Sequence, residues 1–317
     1  MPDGFESHYR TVIRAISEGR VIPLLGAGVN LCGRPQGLEW RQGQYLPSAA
    51  ELAAYLAGYF EYPTADLQDL IRVSQYASVM TGLGPLYEEL HQVLDADYPS
   101  TSLHQFLAAL PGMLRAQGTP RYQLILTTNY DDALERAFRE AGEPYDLVWY
   151  VAEGEHRGKF YHLPPDGRGR IIDKPNKYLG FALDKRTVIA KIHGAVDRLQ
   201  PERDSFVITE DHYIDYLTRT EVANLVPIQL AAKLRRSHFL FLGYSMRDWN
   251  LRVILHRIWG QQALDYKSWA IQLDPEPIDR EISRRRGVDI LNIRLEDYVD
   301  ALAERLEQRS SAVGVAQ

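Results

Sequence analysis

Residues 21–30 read VIPLLGAGVN, and this stretch decides the fold because an apolar strand runs directly into a glycine-containing turn. Val21 to Leu25 predicts a short buried strand, in which Pro23 predicts an irregular hydrogen-bond ladder. Gly26 and Gly28 predict a tight turn, because a residue without a Cβ lets the backbone approach another group closely. We therefore expect this stretch to supply the first strand of a sheet and the turn at its carboxyl end.

Apolar strands alternate with helices along the rest of the chain. The further predicted strands read QLILTT at 123–128, TVIAKI at 187–192, HFLFLG at 238–243, SWAIQL at 268–273 and VDILNI at 288–293. Amphipathic segments between them predict helices. This alternation predicts an α/β fold, a Rossmann-like parallel sheet with helices on both faces.

Two segments are predicted to depart from that alternation within a single domain of residues 1–317. Helical periodicity from Ala49 to Leu114 predicts a helical insertion after the first strand, at residues 34–120 approximately. Four prolines punctuate four helical segments there: Pro63, Pro85, Pro99 and Pro111. A polar stretch at roughly 152–186 predicts an exposed excursion, and the closing RSSAVGVAQ predicts a frayed end.

Composition and charge exclude several classes of protein. The 317 residues carry 36 Lys and Arg against 42 Asp and Glu. The resulting net charge of −6 argues against coating nucleic acid by charge, and no direct sequence-specific nucleic-acid binding is expected. Cys32 is the only cysteine, which excludes a disulfide framework and a thiolate metal cage. No apolar run reaches the ~18 residues of a membrane span and no signal peptide is recognisable, so we expect a cytoplasmic protein without membrane attachment.

The residues that follow the strands are informative, because ligands of open α/β sheets bind outside the carboxyl ends of the strands. Gly26, Ala27, Gly28 and Asn30 follow the first strand, where backbone N–H groups predict contact with a pyrophosphate. The dinucleotide-binding fingerprint requires a third glycine where Leu31 stands. A simple tight turn is therefore the alternative interpretation.

Polar side chains also follow the second core strand. Thr128, Asn129 and Asp131 stand there, before an amphipathic helix. They predict hydrogen bonds to a ribose or to an attacking water. The alternative is that one of them only caps the next helix, because Asn and Asp are favourable N-cap residues.

His193 ends the strand TVIAKI beside Gly194. A neutral imidazole at the ligand edge of a sheet predicts a general base, whereas an isolated histidine is otherwise a structural residue. His156 and His162 have no third ligand near them in the sequence, so no metal site is expected.

Gly243 and Ser245 follow the strand HFLFL and predict a second phosphate or ribose contact. The hydrolase nucleophile elbow GxSxG is excluded, because Arg247 replaces its second glycine and no histidine follows His256. Asp248 is a candidate helix cap.

Five motifs in this order carry a resemblance to a known family: GAGVN, LTTNYD, KIHGAVD, VITEDHY and FLGYSMRDWNLR. The chain resembles the sirtuin-like NAD-consuming family and is most similar to the stand-alone NAD hydrolases of its bacterial antiphage-defence branch. Two departures stand out. Sirtuin deacylases hold a structural zinc with four cysteines, which this chain lacks, and the family usually has Ser at the position of Asn30.

The resemblance implies an NAD hydrolase that cleaves the nicotinamide–ribose bond to nicotinamide and ADP-ribose, with NAD as substrate and no metal. On this basis His193 is the base, Asn129 positions the ribose or the attacking water, and Asp131 supports the site. The predicted NAD-binding residues are Gly26, Ala27, Gly28, Asn30, Thr128, Gly243 and Ser245. The alternatives are an NAD-dependent protein deacylase and a catalytically silent NAD- or ADP-ribose-binding subunit.

An NAD hydrolase requires control, because constant activity would deplete the NAD of its own host. We expect an antiphage effector gated by assembly into a homo-oligomer or by a separately encoded partner such as a HerA-like ring ATPase. The helical segment 49–116 and the C-terminal helix are the candidate interfaces.

Overall fold

The computed structural model describes residues 5–35, 37–119, 121–218, 226–244 and 266–314. The helix predicted at 248–259 lies outside these residues. Within the described ranges, no helix is both long enough and apolar enough to cross a bilayer.

A nine-stranded sheet of the described residues organises the molecule. Its strands are β1 (Val21–Leu25), β2 (Leu124–Thr127), β3 (Tyr145–Tyr150), β4 (Phe160–Leu163), β5 (Arg170–Ile172), β6 (Thr187–Lys191), β9 (His238–Leu242), β10 (Ser268–Ile271) and β11 (Val288–Leu291), and a separate short pair is formed by β7 (Gly194–Ala195) and β8 (Ser205–Phe206). The order across the sheet is β11-β10-β9-β1-β2-β6-β3-β4-β5. Neighbours are parallel except for β4, which pairs antiparallel with β3 and with β5. This mixed, mostly parallel sheet confirms the predicted α/β, Rossmann-like fold.

Strand β1 lies between β9 and β2, and its ladder is uneven as predicted. It pairs with β9 along its whole length from Val21 to Leu25, but with β2 only at Leu24 and Leu25. The pairing with β2 begins after Pro23, a residue that has no N–H to donate.

Helices flank the sheet on both faces. They are α1 (Glu6–Ser17), α2 (Ala49–Tyr59), α3 (Leu70–Thr81), α4 (Leu83–Leu94), α5 (Ser102–Ala116), α6 (Ala133–Glu140), α7 (Glu210–Thr218), α8 (Ile228–Arg235), α9 (Pro277–Arg285) and α10 (Leu295–Gly314). Val21 and Leu25 pack into a buried cluster with α1, α5, α6 and α10, whereas Ile22 and Leu24 pack into another with α7 and α8. Alternate residues of β1 therefore contact opposite layers. Helices α2 to α5 lie between β1 and β2 in the chain.

Pro111 does not separate two helical segments, so that prediction is wrong. It lies inside α5, whose Leu107, Leu110 and Leu114 are buried. Burial of this apolar face stabilises the helix although Pro111 supplies no hydrogen-bond donor. Pro85 lies in the first turn of α4, where no intrahelical donor is required.

The stretch predicted as an exposed polar excursion contributes β4 and β5, which extend the sheet beyond β3. Phe160, His162 and Ile172 are buried, and His162 Nε2 lies 2.9 Å from Asp146 Oδ1. The expectation of an exposed excursion is therefore wrong for these strands. Such short alternating runs carry a weak strand signal.

The C-terminal helix is longer than predicted. Tyr298, Val299, Leu302 and Leu306 of α10 are buried against the sheet. The helix continues to Gly314, into the segment predicted as a frayed end, because the buried part of α10 provides a formed helix that further residues can extend.

Candidate active site

The turn after β1 packs backbone to backbone against the turn after β9. Gly26 N donates to Leu242 O and Gly28 N donates to Gly243 O, each at 3.0 Å. A Cβ on Gly28 would lie 2.7 Å from Gly243 O, and Gly243 itself has a φ of +72°, so both positions require glycine. The amides of Gly26 and Gly28 are thus already bonded within the protein. Contact between these turns and a pyrophosphate stays a prediction.

The turn after β2 meets the same two turns. Asn129 Nδ2 donates to Gly26 O at 3.3 Å, and Asn129 N donates to Thr127 Oγ1 at 3.0 Å. The hydroxyl of Thr128 lies 2.7 Å from that of Tyr244, which follows β9. Residues predicted from three separate motifs are therefore brought together at the carboxyl ends of β1, β2 and β9.

A buried hydrogen bond joins Asn30 to Asp131. Asn30 Nδ2 donates to Asp131 Oδ2 at 3.1 Å, while Asn30 Oδ1 is buried and has no hydrogen-bond partner among the described residues. Asp131 Oδ1 accepts from Ala133 N at 3.1 Å, at the start of α6. Asp131 thus bonds the first residue of α6, although the N-cap residue is Asp132, whose side chain forms no capping hydrogen bond, whereas the amide of Asn129 contacts Gly26.

A buried ion pair lies behind Asp131. Lys191, the last residue of β6, places its Nζ 2.7 Å from Glu135 Oε1 of α6 and also donates to Asp131 O. The Lys191 side chain is 1% exposed, and burial raises the pKa of Glu135 above its ordinary value. A buried pair of this kind fixes geometry through its hydrogen bonds, since desolvation offsets much of its electrostatic attraction. The Lys191–Glu135 pair joins the end of β6 to α6, two residues before His193 in the chain.

His193 lies at the same edge, because Ile192 N donates to Thr127 O at 2.9 Å. Its side chain is 6% exposed, and Nε2 is buried without a hydrogen-bond partner in the part of the chain that the structure describes. Burial lowers the pKa of His193 from 6.5 to about 3. The imidazole is therefore neutral near pH 7.

No group of three or more His, Cys, Asp or Glu side chains in the described ranges is arranged to hold a metal ion. Cys32 is buried, and burial raises the pKa of its thiol to about 12. It is consequently a thiol at neutral pH and a poor metal ligand. That the protein needs no metal stays a prediction.

Four side chains at this edge were not predicted as site residues: Tyr244, Tyr213, Lys191 and Glu135. Tyr244 and Tyr213 stand inside motifs that were recognised, but nothing in the sequence shows where their hydroxyls point. Lys191 does carry a signal, because a lysine at the end of an apolar strand is rarely buried without a partner. Of the predicted residues, Ser245 and Asp248 lie outside the described ranges.

Comparison with known proteins identifies the family of the chain. Residues 123–295, more than half of the chain, match the family model of the SIR2-like domain. The chain is 30% identical over 191 residues to the NAD(+) hydrolase ThsA of Acinetobacter baumannii (strain 532279). That alignment covers 60% of this chain and 31% of the relative, so the chain matches under a third of the relative's length.

Proposed function

The chain belongs to the SIR2-like family, and on this premise we propose that it is an NAD hydrolase releasing nicotinamide and ADP-ribose. The observation that carries the proposal is the side chain of His193. Its imidazole is buried and neutral, and its Nε2 forms no hydrogen bond among the described residues. It lies at the sheet edge where Asn129 and Asp131 also lie. The similarity to the NAD(+) hydrolase ThsA supports the same reaction.

Two buried polar atoms support a polar ligand at this edge. Asn30 Oδ1 and His193 Nε2 both lack a hydrogen-bond partner within the described ranges. Buried polar atoms in folded proteins are nearly always hydrogen-bonded, so each such exception requires an explanation. A bound ribose, carboxamide or water supplies the missing donors and acceptors.

The proposed reaction requires no protein nucleophile. The bond between the ribose carbon and the pyridinium nitrogen breaks with its electron pair moving to the ring, so nicotinamide leaves neutral and the ribose becomes oxocarbenium-like. Water that adds to this carbon becomes strongly acidic. A weakly basic imidazole such as His193 is then sufficient to accept the proton at Nε2.

The neighbouring residues orient the reactants in this scheme. Asn129, held by its bond to Gly26 O, positions the ribose or the attacking water. Asp131 holds the Asn30 side chain and, through Ala133, the start of α6. Each residue therefore contributes to catalysis by fixing distances at the ribose carbon.

Incubation with NAD alone, and separately with NAD and an acetylated peptide, tests the proposal when the products are resolved by chromatography. A hydrolase gives nicotinamide and ADP-ribose from NAD alone. Products that form only with the peptide, together with its deacetylation, would identify a deacylase. Binding of NAD by calorimetry without any product from the assembled protein would identify a silent subunit.

Exposed apolar residues of the helical insertion support control by assembly. Tyr59, Val79 and Met80 are 56%, 70% and 63% exposed. Exposed apolar side chains are candidates for burial in a protein–protein contact. We propose that this surface forms a homo-oligomer or binds a HerA-like ring ATPase, and that the assembled effector depletes cytoplasmic NAD during antiphage defence. A strict monomer with full constitutive activity, measured by native mass spectrometry and nicotinamide release, contradicts this.

A further inference from the structure

Helix α7 brings a tyrosine hydroxyl to the catalytic histidine. The hydroxyl of Tyr213 lies 3.4 Å from His193 Nδ1, and the two rings are nearly perpendicular at 89° with centroids 5.4 Å apart. Tyr216, on the same helix, also places its ring edge-on to His193, with centroids 6.1 Å apart. The nitrogen facing Tyr213 is thus not the nitrogen assigned to proton transfer.

The neutral imidazole of His193 has one protonated and one bare nitrogen. To accept a proton from water, Nε2 must be bare, so Nδ1 must carry the hydrogen. A tyrosine hydroxyl can accept that hydrogen. Its distance of 3.4 Å is long, and catalytic hydrogen bonds commonly shorten when substrate binds.

The start of α7 is held in place by the residue next to Tyr213. His212 N donates to Thr209 Oγ1 at 3.1 Å, and His212 Nδ1 accepts from Ile208 N at 3.3 Å and Thr209 N at 3.4 Å. Since Nδ1 accepts, Nε2 of neutral His212 carries the hydrogen and donates it to Glu153 Oε1 at 3.0 Å. The bond to Glu153 joins the helix that carries Tyr213 to the segment after β3, and the other bonds fix the start of the helix.

We propose that Tyr213 is a positioning residue, whose hydroxyl accepts a hydrogen bond from His193 Nδ1 and so leaves Nε2 bare toward the attacking water. This role rests on the proposed NAD hydrolysis. Tyr213 does not contact the reacting atoms in this account and acts only through His193.

The kinetic test is Tyr213→Phe, which keeps the ring and removes the hydroxyl. We expect kcat to fall about 10-fold, less than the ~100-fold or more expected for loss of the base itself, with KM and Tm unchanged. Tyr216→Phe is the matched control, since it removes a hydroxyl from the same helix and keeps its ring against His193. Equal kcat for Tyr213→Phe and the parent overturns the proposal.

A second readout does not depend on turnover. In protein labelled with ¹⁵N-histidine, the His193 signals are assigned by their loss in His193→Gln, and their chemical shifts report which nitrogen carries the hydrogen. We expect the Nδ1–H form in the parent and in Tyr216→Phe, and a mixture of both forms in Tyr213→Phe. A parent protein with the hydrogen on Nε2 overturns the proposal. Absence of NAD turnover by the assembled protein, together with the expected NMR result, refutes the proposed function and leaves the Tyr213–His193 contact supported.

Discussion

Among single residues, Asn129 distinguishes a binding role from a structural one. Asn129→Ala removes the amide that donates to Gly26 O, and Asn129→Asp places a carboxylate oxygen against that carbonyl. Because Asp131 rather than Asn129 bonds the start of α6, we expect Asn129→Ala to cost less than the ~1 kcal/mol of a lost helix cap. Both variants should lose nicotinamide release.

Thermal melting, NAD binding by calorimetry and nicotinamide release are to be measured on the same samples of the Asn129 variants. Binding should survive in at least one of them, because the turns after β1 and β9 are unaltered. A stable Asn129→Asp protein with parental turnover would show that the Asn129 amide does not position ribose or water.

At the scale of elements, the Lys191–Glu135 pair joins β6 to α6. Lys191→Met leaves Glu135 buried without its cation, and we expect unfolding free energy to fall by roughly 3–5 kcal/mol. Lys191→Met combined with Glu135→Leu removes both charges and should recover most of that loss. Chemical denaturation of the parent, both single variants and the double variant measures the coupling. A double variant no more stable than Lys191→Met contradicts this account.

The elements show what the sequence could and could not predict. Strands such as VIPLL and TVIAKI were predictable because uninterrupted apolar runs bounded by turn residues signal buried strands. The position of Pro111 inside α5 was not predictable from the sequence. Tertiary packing of Leu107, Leu110 and Leu114 outweighs the tendency of proline to end a helix. Strands β4 and β5 escaped prediction because their pairing, and not their composition, buries them.

For the site, the sequence predicted which residues follow the strands but not their contacts. Asn129, Asp131 and His193 were predicted because the carboxyl ends of parallel strands form one edge. The bond from Asn30 to Asp131 joins residues far apart in the chain, so it depends on the relation between two turns. The same holds for Tyr213 and His193, which only the position of α7 brings together.

For the whole molecule, histidines with a lowered pKa predict a free energy of unfolding that falls with acidification. Burial lowers the pKa of His8 and His104 to about 4 and that of His193 to about 3, from 6.5. Below pH 6.5 the unfolded chain therefore binds protons that the folded protein does not. The contribution of these histidines to the free energy of unfolding is fully present above pH 6.5 and is lost as the pH falls toward 4.

Melting temperatures recorded from pH 8 to pH 5 check this dependence. We expect a nearly constant Tm at the alkaline end and a decline once the pH passes below 6.5. His193→Gln should decline less steeply, because one of these three imidazoles with a lowered pKa is gone. A Tm that stays constant down to pH 5 would contradict the assignment of these side chains as neutral in the folded protein.

The central claim, that His193 serves as the base of an NAD hydrolase, is tested most directly by nicotinamide release from NAD by the parent and by His193→Ala. Tm and NAD affinity are to be measured on the same samples, to show that the variant is folded and binds NAD. His193→Gln replaces the alanine variant if the latter is unstable. We predict release by the parent and a loss of ~100-fold or more in the variant, the range expected for removal of a general base. Release at the parental rate by a folded His193 variant, or no release by the parent in its assembled form, would contradict the account.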